Sequence, residues 1–306
     1  MRLLPPALIV LAAMLWGTDG LWRVGLLERM PSPAIVLWEH VILVLVTGWV
    51  IWRDRHLIAR LSGGERVLVL ASGSGASAIA TVLFTQAFRH ANPTTVILLQ
   101  KTQPLIAITL AALWLREPLP SRFWPLLPFA LIGTYLISFG DTGPLASIAT
   151  VGNTPLGAAM ALGAAALWGA GTALGRRLLA RVPFVTLVAM RFAAALPALA
   201  LISGFGGFAM PTVADIPTLL VLALVAGLAG MLLYYRGLRD TPAAVATLCE
   251  LSFPVTAIIV NFIFLGATIT PNQALGIVVL WSSIALMRHR SVPPVVPAPV
   301  PASAQG

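Results

Sequence analysis

The stretch VILLQKTQPLIAITLAALW, from Val96 to Trp114, is apolar almost throughout but carries Gln100, Lys101, Gln103 and Pro104 in its first half. The apolar run around it, Pro93 to Leu115, is about the length that a helix needs to cross a bilayer core, roughly 20 residues. That places Lys101 inside a membrane. A charge at such depth costs roughly 2.5–3.5 kcal/mol on insertion scales and therefore faces a protein interior or a water-filled cavity. Lys101 is eight residues past Pro93, about 12 Å along a helix, a long way for its ammonium to snorkel to the interface. Pro104 removes a backbone donor and frees a carbonyl one turn earlier, near Gln100 and Lys101. Two readings follow for Lys101: a buried structural ion pair, or a charge that lines a substrate path.

Composition agrees with the membrane reading. Of 306 residues 58% are hydrophobic and 9% charged, far below the ~25% charged of a soluble domain. The net charge of +9 does not point to nucleic acid, because Lys101 is the only lysine and the arginines are scattered through short loops. One cysteine, Cys249, excludes a disulfide framework within the chain. His40, His56, His90 and His289 are too dispersed to suggest a metal site, and no cofactor is expected.

Ten hydrophobic segments can be read: Pro5 to Leu27, Ser32 to Trp52, Arg66 to Phe88, Pro93 to Leu115, Phe123 to Phe139, Leu156 to Leu178, Pro183 to Ser203, Ile216 to Tyr235, Ala243 to Leu265 and Asn272 to Met287. The fold class is thus an all-α polytopic membrane protein with ten transmembrane helices. Met1 to Gly17 resembles a signal peptide, but the apolar pattern continues to Leu27, so a retained first helix is expected. The tail, residues 291–306, is rich in proline and is expected to be disordered. With the N-terminus in the cytoplasm, 14 arginines fall inside and three, Arg23, Arg29 and Arg89, fall outside. The positive-inside rule therefore places both termini in the cytoplasm, in an inner (plasma) membrane.

The chain also repeats itself. Trp16-Gly17 to Pro31 aligns on Trp168-Gly169 to Pro183, and Pro104, Ala107, Ile108 and Leu115 align on Pro254, Ala257, Ile258 and Leu265 at an offset of 150. Two units are expected, residues 1–143 and 153–290, each of five helices. An odd number makes them inverted repeats about an axis in the membrane plane, as in many secondary carriers.

The Leu-Trp-Gly near the start of each half, the run Leu99-Gln100-Lys101-Thr102-Gln103-Pro104, the Leu115-Arg116-Glu117-Pro118 that closes the fourth helix and the helix containing Gly133 resemble the EamA domains of the drug/metabolite transporter superfamily. The resemblance implies a ten-helix exporter or permease of small metabolites, with a central cavity between the halves. The second half departs from it, since Gly266-Ala267-Thr268 stands where the first has Arg116-Glu117-Pro118. The resemblance reports fold, and its range of substrates runs over amino acids, sugars, nucleotide sugars and small cations.

The intramembrane ionisable residues are Asp19, Arg23, Glu39, His40, Lys101, Arg191 and Glu250. Glu39 and Lys101 each lie eight residues past a proline at the outer face, and Arg191 and Glu250 each lie eight past a proline at the inner face. Equal depth predicts two ion pairs, Glu39 with Lys101 and Arg191 with Glu250, either fastening helices or reading a zwitterion. In the latter case Lys101 or Arg191 receives a carboxylate and Glu39 or Glu250 an ammonium. Gln100 lies beside Lys101, while Trp16, Trp168, Tyr234 and Tyr235 are available to cover an apolar body or a cation; the tryptophans also suit interface anchoring. Asp19 and Arg23 read as a local i,i+4 pair.

Gly73-Ser74-Gly75 and the Gly171/Gly175 spacing lie in apolar helices and read as close packing. There is no Walker loop, nucleophile elbow or zinc helix, so gradients rather than ATP are the expected energy source. The sequence therefore reads as a secondary transporter exporting a small metabolite by alternating access, most simply an amino acid or related zwitterion. A proton is a candidate co-substrate. Carriers of nucleotide sugars, sugars or organic cations are the alternative, and an intramembrane enzyme or lipid-handling protein is a remote one.

Overall fold

A computed structural model describes residues 4–91, 93–116, 119, 122–139, 155–265 and 269–286. The Pro-rich tail, Asn153, Glu117-Pro118, Gly266-Ala267-Thr268 and the arginines at 2, 288 and 290 lie outside the described residues. Among the described residues the chain is entirely helical. Six stretches are long and apolar enough to cross a membrane: α1 (Leu4–Leu27), α2 (Ser32–Arg53), α3 (Gly63–His90), α6 (Pro155–Leu178), α7 (Phe184–Gly206) and α8 (Ile216–Leu238). Shorter apolar helices complete the bundle. These are α4, in pieces Pro93–Gln100 and Gln103–Leu115, α5 (Phe123–Phe139), α9, in pieces Ala243–Glu250 and Phe253–Leu265, and α10 (Pro271–Leu286). Every hydrophobic segment of the sequence is helical, with ends moved by a few residues. The exterior is greasy, as lipid contact requires: Leu45, Trp52, Leu113 and Leu201 are 78%, 71%, 76% and 65% exposed.

The two interruptions have one cause. Pro104 and Pro254 carry no N–H for the carbonyls of Gln100 and Glu250, so each helix tightens there. Thr102 N–H bonds the Leu99 carbonyl at 3.1 Å, and Ser252 N–H bonds the Cys249 carbonyl at 3.1 Å. Wider, π-type turns also recur, over Ser72–Ile79 in α3 and Leu222–Ala229 in α8, where the helices pass the centre of the bundle.

Packing crosses between the halves of the chain. α2 packs on α7, α5 on α10, α1 on α8 and α9, and α6 on α3 and α4. Small residues permit the closest approaches. A Cβ on Gly17 would stand 2.6 Å from the Phe253 carbonyl, and one on Gly169 would stand 2.9 Å from the Gln103 carbonyl. The Trp-Gly pairs thus seat α1 and α6 directly on the second pieces of α9 and α4. Gly73 and Gly171 are also packing positions, against Ala194 and Ala76.

Polar contacts tie the bundle at both ends. At one end Asp54 binds Arg53 at 2.8 Å and accepts from the Thr186 hydroxyl of α7. The Arg53 guanidinium, with that hydroxyl, holds the Asp54 carboxyl down at about 2. At the other end Arg29 meets Asp215 at 2.7 Å, and Arg89 donates to the carbonyls of Leu27 and Met30.

Candidate functional site

Where the interrupted helices and the π-type turns meet, the bundle holds a cavity with about 140 Å³ of space open to water-sized molecules. The eight residues singled out in the sequence, Trp16, Glu39, Gln100, Lys101, Trp168, Arg191, Tyr234 and Glu250, all line it. They arrive from α1, α2, α4, α6, α7, α8 and α9, so no local stretch of sequence contains the site.

Aromatic rings form its walls in two groups. Trp16 packs at a tilt on Tyr234 with ring centroids 5.1 Å apart, and Trp168 meets Phe84 edge-on at 5.1 Å. Phe192 and Phe253 add further apolar surface. Trp16 is therefore not an interface anchor; its indole N–H donates to the Ala226 carbonyl at 3.0 Å, an acceptor beside which the π-type turn of α8 runs. Tyr235 does not reach the cavity. It is fully buried behind the wall, where its hydroxyl accepts from Arg191.

The charges pair differently from the depth argument. Glu39 does not meet Lys101; it binds Arg23 Nη2 at 3.1 Å. Arg23 also forms a two-pronged pair with Asp19, both contacts at 2.8 Å, and donates to Thr85 at 3.2 Å. The expected i,i+4 pair of Asp19 and Arg23 thus forms, with Glu39 as its third member. Arg191 does not meet Glu250. It donates to the Ser77 hydroxyl at 2.6 Å and the Tyr235 hydroxyl at 2.8 Å. Glu250 instead accepts from Tyr234, 2.8 Å away, and from the Gln103 amide. Lys101 places its ammonium 4.1 Å above the Phe253 ring, a cation–π contact, and among the described residues no carboxylate oxygen lies within 4 Å of it. Depth along a helix gives one coordinate; the azimuth that decides which side chains meet comes only from packing. His40 is turned into its own helix, with Nδ1 2.9 Å from the Val36 carbonyl. Among the described residues there is no cluster of three or more His, Cys, Asp or Glu side chains suited to a metal.

Phe84, Gln103, Phe192, Phe253, Ser77 and Thr172 are lining residues that the sequence reading missed. One of them had a usable signal. Phe84 stands 150 residues before Tyr234, so the repeat offset already found would have located it.

A helical bundle with a central, aromatic-walled cavity crossed by interrupted helices is the build of a membrane carrier for small molecules. The chain belongs to the EamA-like transporter family, whose model matches residues 4–139 and 155–288. It is a multi-pass membrane transporter. It is 31% identical over 289 residues to the riboflavin transporter ImpX of Fusobacterium nucleatum, covering 90% of this chain and 95% of that one. It is 23% identical to the uncharacterized transporter YwfM of Bacillus subtilis, covering 89% of each. A solved crystal structure superposes with a TM-score of 0.73 at 18% identity, over 94% of this chain and 96% of that one. This last likeness concerns the fold alone.

Proposed function

We propose that this protein is a secondary carrier for a flat, hydrogen-bonding heterocycle of the flavin class, with riboflavin as the first compound to test. The observation that carries this reading is the pair of aromatic walls, Trp16 with Tyr234 and Trp168 with Phe84, on a cavity whose carboxylates are already occupied. Planar rings stack on such walls, and polar groups around them bind a heterocycle's edges. The name of the Fusobacterium relative agrees with it.

In this reading Trp16, Trp168 and Tyr234 stack on the cargo, and Gln100, Lys101 and Arg191 address its polar edge. Glu39 and Glu250 hold the polar wall in shape. The two halves, residues 1–143 and 153–290, act as inverted five-helix repeats that rock about the cavity, with ten crossings and both termini in the cytoplasm of a cell whose inner membrane holds the protein. Supporting this are features that recur 150 residues apart: the interruptions after Gln100 and Glu250, and the π-type turns starting at Ser72 and Leu222.

An amino acid or other zwitterion is the second reading. It is favoured by Lys101, which has no carboxylate within 4 Å among the described residues and shares the wall with Glu250. Its original support, two cross-cavity ion pairs, is gone. Counterflow in proteoliposomes decides between the two. Saturable riboflavin counterflow, not competed by a mixture of amino acids, is expected; amino-acid counterflow without riboflavin counterflow would refute the flavin reading.

A further inference from the structure

The interrupted helices α4 and α9 are alike in backbone but not in how their polar side chains are satisfied. At the end of the first piece of α9, both Glu250 oxygens are taken, by Tyr234 and Gln103. At the equivalent end of α4 stands Gln100, 9% exposed, lining the cavity, with its Oε1 buried and without any hydrogen-bond partner. Its own C-terminal neighbour is Lys101, 8% exposed, whose ammonium rests only on the Phe253 ring among the contacts described. A buried amide oxygen left unpaired is a standing cost that native interiors avoid, and here it lies beside a lysine that, among the described residues, has no carboxylate oxygen within 4 Å.

We infer that Gln100 and Lys101 form the specificity site of the carrier, an edge that reads an imide, the C(=O)–NH–C(=O) group of a pyrimidinedione ring. Such an edge presents acceptor, donor, acceptor. With its carboxamide turned toward the cavity, Gln100 accepts the central N–H at Oε1 and donates from Nε2 to one flanking carbonyl, and Lys101 Nζ donates to the other. The inference rests on the flavin reading and deepens it, because the outer ring of a flavin carries this group at N3. It also explains the contrast between the two equivalent residues: Glu250 is satisfied without cargo, and Gln100 is satisfied by it. The neighbouring amide cannot offer the same donor and acceptor together, since Gln103 Nε2 is committed to Glu250. Selection follows, since a site that leaves a buried polar group unpaired rejects an analogue far more strongly than one that merely loses apolar contact.

The test uses the full-length protein in proteoliposomes, with riboflavin and N3-methylriboflavin as competing probes. On the wild type, N3-methylation should weaken competition at least 10-fold. In Gln100→Leu, riboflavin should weaken by a similar factor while the methylated compound does not, so that the two become nearly equal. Equal competition by the two compounds on the wild type would overturn the inference while leaving the flavin reading standing. A preference that persists unchanged in Gln100→Leu would also overturn it. If riboflavin does not compete at all, both the flavin reading and this inference fall. Should Gln100→Leu not fold, the wild-type comparison alone still decides the matter.

Discussion

The three-membered cluster of Asp19, Arg23 and Glu39 predicts an asymmetric pattern of mutational cost. Arg23 sits between two carboxylates, 2.8 Å from Asp19 and 3.1 Å from Glu39, with the side chains of Arg23 and Glu39 only 3% and 7% exposed. At 3.1 Å the gross attraction of one such pair is about 5 kcal/mol at an effective dielectric of 20, most of it offset by desolvation. Removing the cation in Arg23→Met leaves two buried carboxylates facing each other and should cost about 3–5 kcal/mol. Removing only Glu39, in Glu39→Gln, leaves Arg23 held by both prongs of Asp19 and should cost about 1 kcal/mol. A double-mutant cycle between these two positions should return a coupling of roughly 1.5–3 kcal/mol. The cycle between Glu39→Gln and Lys101→Met should return less than about 0.5 kcal/mol, since those residues share no contact. Reversible unfolding in mixed micelles, followed by far-UV circular dichroism, measures the three single variants and both doubles. A large Glu39–Lys101 coupling together with additive Arg23 and Glu39 would refute the assignment of partners.

Other consequences follow from separate parts of the molecule. Trp16→Ala or Trp168→Ala removes one aromatic wall and should raise the KM for riboflavin roughly 10- to 100-fold, the scale of one ring–aromatic stack at ~1–3 kcal/mol, in an initial-rate uptake assay. Gly169→Leu drives a side chain into the Gln103 carbonyl, which even a Cβ would approach to 2.9 Å, and should lose at least about 1–3 kcal/mol in a thermal-shift measurement. Because the Asp54 carboxyl is held below its ordinary value of 3.8, at about 2, its contribution is full above pH ~4 and is lost as pH falls toward ~2. Thr186→Val should remove about 1.5–3 kcal/mol of stability at neutral pH and narrow that acid loss, as an acid titration of unfolding would show. Asn153→Cys should be labelled by a membrane-impermeant maleimide from the periplasm; labelling only from the cytoplasm would break the proposed topology.

Lys101 shows how far the sequence reaches. One lysine in an apolar run of membrane length, three residues before a proline, has to face a protein interior or a cavity, because lipid offers it nothing. That argument needs no coordinates, and Lys101 does line the cavity. The repeat was legible for the same kind of reason, since Trp-Gly and Pro recur wherever a helix must approach another closely or be interrupted. The partners were not legible. Glu39 and Lys101 lie at matching depth from their prolines, yet Glu39 turns to Arg23 and Lys101 to Phe253.

What the sequence by itself determined is the all-helical, membrane-embedded character, the prolines that free backbone carbonyls inside its helices and the polar residues that such a medium cannot leave facing outward. Hydropathy, proline geometry and the cost of an unpaired charge in hydrocarbon are properties of short stretches, and each is readable one segment at a time. The tertiary structure alone decided which ring meets which, that Glu250 is satisfied by Tyr234 and Gln103, and that the Gln100 Oε1 is left without a partner. Those outcomes depend on the rotation of each helix about its own axis, which is fixed by the packing of all its neighbours at once.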